Sequence, residues 1–173
     1  MKPFQEFLIS LAGLSAGEHR YEFVIGDAFF AHLSYAEIEK GDLKVDLLLD
    51  KRDNMIELNF LFEGTVEVMC DRCADNFNLA LEGENSLYLK YGDHYLEESE
   101  DVIVLPADQH QFDISQLLYE YIVLLLPLRK VHPEDVDGNS LCNPEVIAKL
   151  NSMSVSESVD PRWEALRKLK NDE

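Results

Sequence analysis

The chain has 173 residues, 46% of them hydrophobic and 28% charged, which suits one soluble domain with a sizeable core, or one domain with a tail. Its 34 Asp and Glu against 15 Lys and Arg give a net charge of -19. Such a surface repels phosphate backbones, which are held by cations that displace counterions, and attracts basic proteins; solubility alone is the simpler account of the charge taken by itself.

Strand-like alternation dominates the first half. In HRYEFVI, Tyr21, Phe23 and Ile25 share a face, and in LKVDLLLD Leu43, Val45, Leu47 and Leu49 do the same. KRDN supplies a turn, after which Ile56, Leu58, Phe60 and Phe62 fall in phase, and Glu63-Gly64 is expected to close a tight hairpin. Val66, Val68 and Cys70 continue the alternation before the cysteines. Beyond them come Phe77, Leu79 and Leu81, then Leu87, Leu89 and Tyr91. The acidic stretch YGDHYLEESED is expected as a mobile loop, and DVIVLP as one more short strand.

The second half reads as helical. In DISQLLYEYIVLLLPL, Asp113 is the expected N-cap, with Gln116 at capping-box spacing. Ile114, Leu117, Leu118, Tyr121, Leu124 and Leu125 lie on one face, and further apolar residues predict that the later part is buried nearly all round, up to Pro127. This predicts a core helix and not a partner-binding one. RKVHPEDVDGNSLC is a polar connection with an Asp137-Gly138 turn, and NPEVIAKLN has Asn143 as cap before Pro144. A Ser-rich linker leads to DPRWEALRKLK, where Trp163, Leu166 and Leu169 form a narrow apolar stripe. The expected fold is α+β: an antiparallel β-meander or partly closed barrel packed by one main helix, with short C-terminal helices. Residues 1–150 are expected to form a single domain, and 151–173 the linker and C-terminal helix or tail.

The longest apolar run, YIVLLLPL, is far short of a bilayer span. The amino terminus MKPFQEFLIS lacks the pattern of a signal peptide, so a cytoplasmic location is expected. Three cysteines cannot all pair within one chain, and a reducing compartment keeps them as thiols. Cys70 and Cys73 lie at a turn between strands, as in zinc knuckles, where backbone amides stabilise two thiolates. A structural zinc needs two further ligands. Cys142 is the one remaining cysteine, and His132 shares its polar connection. Cys70, Cys73, His132 and Cys142 would complete a tetrahedral site for one zinc ion. The same residues are equally compatible with three reduced thiols and an exposed histidine.

A redox role for Cys70 and Cys73 lacks the helix start that lowers a thioredoxin-type thiol pKa. No nucleophile elbow, oxyanion-hole motif or glycine-rich phosphate loop is present, and no enzymatic activity is expected. His19 and His32 read as structural, and His94 and His110 as solvated. Glu97, Glu98, Glu100 and Asp101 lack the spacing of a calcium loop. Arg162, Arg167, Lys168 and Lys170 make the tail locally basic, which suits either RNA contact or compensation of the acidic body.

Cys70-Asp71-Arg72-Cys73 behind an alternating apolar strand resembles the C-x-R-C motif of the YceD family, bacterial and plastid proteins of large ribosomal RNA subunit accumulation. LISLAGLSAGEHRYEFVI resembles the family's opening strand, loop glycine and second strand. FDISQLLYEYIVLLLPLRKVH is similar to its acid-led helix, and DPRWEALRKLK to its closing segment. Cys142 corresponds loosely to a downstream cysteine. Some members carry a more cysteine-rich loop, and with His132 and Cys142 here a four-thiolate site does not carry over. The resemblance implies a role in accumulating large-subunit ribosomal RNA, hence in ribosome assembly. Combined with the charge, it points to a non-enzymatic factor that binds a basic ribosomal protein or a preribosomal particle. The alternatives are a zinc module that contacts RNA directly and a thiol-redox protein.

Overall fold

The computed structural model describes residues 5–33 and 37–153. Contacts divide the chain into two compact units, residues 1–69 with 76–130, and residues 70–75 with 131–173. The basic tail positions Arg162, Arg167, Lys168 and Lys170, and the apolar stripe of Trp163, Leu166 and Leu169, lie outside the described residues.

The first unit is built on strands β2 (Gly17–Ile25), β3 (Gly41–Lys51), β4 (Met55–Met69) and β5 (Asn76–Gly92), an antiparallel meander in which each strand pairs with the next. Two short strands extend it: β7 (Val102–Pro106) pairs parallel to β5, and β6 (Leu96–Ser99) pairs antiparallel to β7. The result is an open, mixed six-stranded sheet in the order β2-β3-β4-β5-β7-β6, and no barrel closes among the described residues. A separate two-stranded sheet joins β1 (Leu8–Ser10) to β8 (Gln111–Asp113). The architecture is α+β, as the sequence predicts.

Alternation decides which face is buried. Leu43, Val45, Leu47 and Leu49 of β3, and Ile56, Leu58, Phe60 and Phe62 of β4, are all buried, each worth about 1.5–3 kcal/mol on transfer from water. Helix α2 (Ser115–Leu125) covers this face, with Tyr121 packed on Phe60 and Phe62 and Leu125 against Gly83, where a Cβ would force the Leu125 side chain to shift. Helix α1 (Asp27–His32), which the sequence reading missed, contributes Phe29 and Phe30, and Phe7 stacks on Phe23. Helices seal the apolar face, so the sheet has no need to curl upon itself.

Several expectations are corrected. Glu63-Gly64 forms no hairpin, because β4 runs through it in continuous register with β3 and β5. Gly64 is needed for close approach: it holds φ +155, and a Cβ there would run into the Asp42 backbone. The acidic stretch after Tyr91 includes an edge strand, β6, whose exposed Glu97 and Glu98 discourage edge-to-edge pairing. The end of α2 is not buried all round: Leu124 is 71% exposed and Val123 lies at the surface. Asp113 accepts hydrogen bonds from the Ser115 amide and hydroxyl, but Gln116 reaches Glu120 instead of completing a capping box. No helix among the described residues is long and apolar enough to cross a membrane.

Candidate metal centre

The second unit contains helix α3 (Pro144–Met153), the loop Cys70–Asp75 and the polar connection from Val131. Residues 70–75 form a tight knuckle. The Ala74 amide donates to the Cys70 carbonyl at 2.9 Å, and the Cys70 amide to the Asp75 carbonyl at 3.0 Å. Closing so short a loop places Ala74 at φ 63, in the left-handed region that L-residues visit at a cost of about 1–2 kcal/mol. The turn brings the Arg72 amide to 3.4 Å from the Cys70 sulfur, the backbone-to-thiolate bond that the knuckle reading predicts.

The polar connection folds around Asp135, a residue that the sequence reading overlooked. Its carboxylate accepts the amides of Asp137 and Asn139 at 2.9 and 2.8 Å, while its own amide donates to the Asn139 carbonyl. These donors, the Asn139 amide foremost, hold its pKa below the ordinary carboxylate value. Gly138, at φ 81, completes the expected Asp137-Gly138 turn, and Glu134 bridges Ser140. The run DVDGN carried the signal, since an aspartate ahead of a glycine turn favours side-chain-to-backbone bonds. Asn143 caps α3 through the Glu145 amide, and its side-chain amide donates to the Asp75 carboxylate at 3.1 Å. That last bond ties the connection to the knuckle.

These two segments gather all four predicted ligands. Cys70 Sγ lies 3.8 Å from Cys142 Sγ, and Cys73 Sγ lies 3.4 Å from His132 Nδ1. All four ligand atoms fall within 4.8 Å of one another. A tetrahedral zinc with bonds of about 2.3 Å to sulfur and 2.0–2.1 Å to nitrogen requires S···S edges of about 3.8 Å and S···N edges of about 3.5 Å. The Cys70–Cys142 and Cys73–His132 spacings match those edges and the others stay within 4.8 Å, so the cluster can hold a metal. The three cysteines are buried and His132 is half-buried.

Electrostatics at the sulfurs also suit a cation. Burial pushes the Cys70 thiol up, but the amides of Arg72, Cys73 and His132, with the His132 ring, outweigh it and hold it down at about 6. Burial, with Cys70 and Cys142 alongside, raises the Cys73 thiol. One sulfur is therefore ready to ionise while a neighbour resists a second negative charge. A divalent cation relieves that conflict.

Residues 58–170 match the family described as large ribosomal RNA subunit accumulation protein YceD. No curated protein and no solved structure matches the chain.

Proposed function

The chain belongs to the YceD family, and on that premise we propose that it is a non-enzymatic ribosome-biogenesis factor. The family's name points to a role in large ribosomal subunit RNA accumulation. In this reading the protein acts in the cytoplasm, where it binds a basic ribosomal protein, or a preribosomal particle through one, while the large-subunit RNA matures. The observation that carries the reading beyond the family name is the net charge of -19, which disfavours direct phosphate contact and speeds encounter with cationic proteins. One zinc ion on Cys70, Cys73, His132 and Cys142 serves as a structural staple. Its role is to neutralise the thiolates and to order the polar connection, with no step of chemistry assigned to it.

Pull-down of large-subunit ribosomal proteins at low and high salt tests this reading. A basic partner should be retained at low salt and released as screening shortens the reach of the charges. Cells lacking the protein should accumulate less large-subunit RNA. Normal accumulation, or no salt-sensitive partner, would overturn the reading.

A further inference from the structure

The six-stranded sheet ends in two strands of very different character. An unpaired edge presents a row of amide and carbonyl groups to any other strand, so proteins shorten it, bend it or charge it. Edge strand β6 combines all three devices: it has four residues, a register shift between Glu97 and Ser99, and two exposed glutamates. Edge strand β2 lacks the first two. It runs for nine residues, Gly17–Ile25, in unbroken register with β3 and without a proline. Its exposed charges, Glu18, Arg20 and Glu22, are of both signs. Among the described residues no strand pairs with its other side.

Burial also stops short at β2. On the helix-covered face, Val45, Leu47 and Leu49 of β3 are buried, whereas Phe23, Tyr21 and His19, which lie opposite them, are only half-buried. Tyr21 and Phe23 stack on each other at this edge with ring centres 6.4 Å apart. A recess of about 430 Å³ runs beside them, lined by Tyr21, Glu22, Phe23 and Val24, with Glu6 and Phe7 as its other wall. Residues from both faces of β2 line the recess and none from β3 does, which places it at the free edge.

We infer that β2 is the surface on which a second copy of this chain docks, strand to antiparallel strand, so that two sheets join into one. The strand is complementary to itself. About a two-fold axis at Tyr21 all nine residues overlap: Arg20 faces Glu22 of the second copy, Glu22 faces its Arg20, and Tyr21 faces its Tyr21. A self-complementary contact makes each such pair twice, and opposite charges directly across a strand pair stabilise it. Arg20 is available for this role, since it makes no ion pair among the described residues. Glu22 touches Lys44 at 3.6 Å through one oxygen and has the other for the arginine. On the opposite face the two aromatic stacks cover each other's half-buried rings. The net charge of -19 opposes self-association, but at about 0.15 M salt that repulsion is screened over about 8 Å, and the charges at the contact are of opposite sign. The inference is independent of the basic partner.

The test is sedimentation velocity on the full chain at about 0.15 M salt, in a concentration series reaching hundreds of micromolar. The wild type should pass from monomer to dimer across the series. Arg20→Glu and Glu22→Arg each convert both cross-strand pairs into like-charged ones, and each should weaken the dimer about 10- to 100-fold. Mixed in equal amounts, the two variants should form a heterodimer about as tight as the wild-type dimer, because each offers the charge that the other lacks. Both side chains are exposed, so neither substitution should lower the melting temperature. Should a variant fail to fold, hydrogen exchange on the wild type decides instead: amides of residues 17–25 should gain protection as concentration rises. A wild type that stays monomeric, single variants that dimerise as the wild type does, or a mixture no tighter than its components would overturn the inference. So would exchange in β2 that is indifferent to concentration, or a monomer whose β2 pairs only with an extended segment of another protein. The basic-partner reading stands or falls separately.

Discussion

Removing the metal should release the second unit and leave the sheet intact, because the two units bury different things. Among the described residues of 70–75 and 131–153, the buried ones are Cys70, Cys73 and Cys142, and α3 buries none. Apolar burial contributes about 25 cal/mol per Å², so a unit without a buried aliphatic or aromatic side chain gains little from it. Ordering the backbone meanwhile costs about 1–2 kcal/mol per residue. Structural zinc supplies about 10–16 kcal/mol in zinc-finger peptides at pH 7, enough to offset the ordering of roughly ten residues. Loss of one ligand in four, as in Cys142→Ser, should forfeit about 3 kcal/mol, or roughly a hundredfold in metal affinity. Elemental analysis of protein purified without a histidine tag should find one zinc per chain. Amide hydrogen exchange then reads the coupling. A chelator should abolish protection at Ala74, Asp135, Gly138 and Leu141, whose amides donate within this unit, and leave β3 and β4 unchanged. Protein without stoichiometric metal, or protection of 131–153 that survives chelation, would refute the argument.

Two further outcomes follow from single positions. Ala74→Gly relieves the left-handed strain of the knuckle against a smaller entropic penalty, and should raise metal affinity or stability by up to about 1 kcal/mol; a loss on chelator titration would show that the turn is not strained. The Tyr121 hydroxyl is buried without a hydrogen-bond partner among the described residues, and burial, with Asp101 and Glu120 adding to it, pushes its pKa up to about 12. An unfolded tyrosine ionises near 10, so stability that is fully present below pH 10 is lost as pH rises through 12. Tyr121→Phe should be neutral or stabilising by about 1–2 kcal/mol at pH 7 and should flatten that alkaline loss, as read from urea midpoints. A clearly less stable variant would mean that the hydroxyl is satisfied.

The sheet was legible because period-two alternation survives even where strand boundaries do not. Ile56 to Phe62 and Val66 to Cys70 were each in phase, but Gly64 looked like a turn residue, and its true role depends on Asp42, a residue of another strand. The parallel pairing of β7 beside β5 has no local signature. Helix α2 was found from its spacing, yet an apolar run cannot reveal that Leu124 is left exposed while Leu125 packs on the sheet. The four candidate ligands that the structure brings together were legible by chemistry, since few other groups bind zinc. Asp135 and Asn143, which order the loop around the candidate ligands, are ordinary polar residues until the fold gives them partners.

The proposed ligand set would also impose a timetable on synthesis. Cys70 and Cys142 are 72 residues apart in the chain and 3.8 Å apart in the fold. At 5–20 residues per second, a ribosome takes about 4–14 s to travel from the first to the second. For most of that interval, until His132 and then Cys142 are made, the knuckle's two sulfurs stand without the other two candidate ligands, open to oxidants and to stray ions. The nascent chain is therefore most vulnerable before its last cysteine emerges.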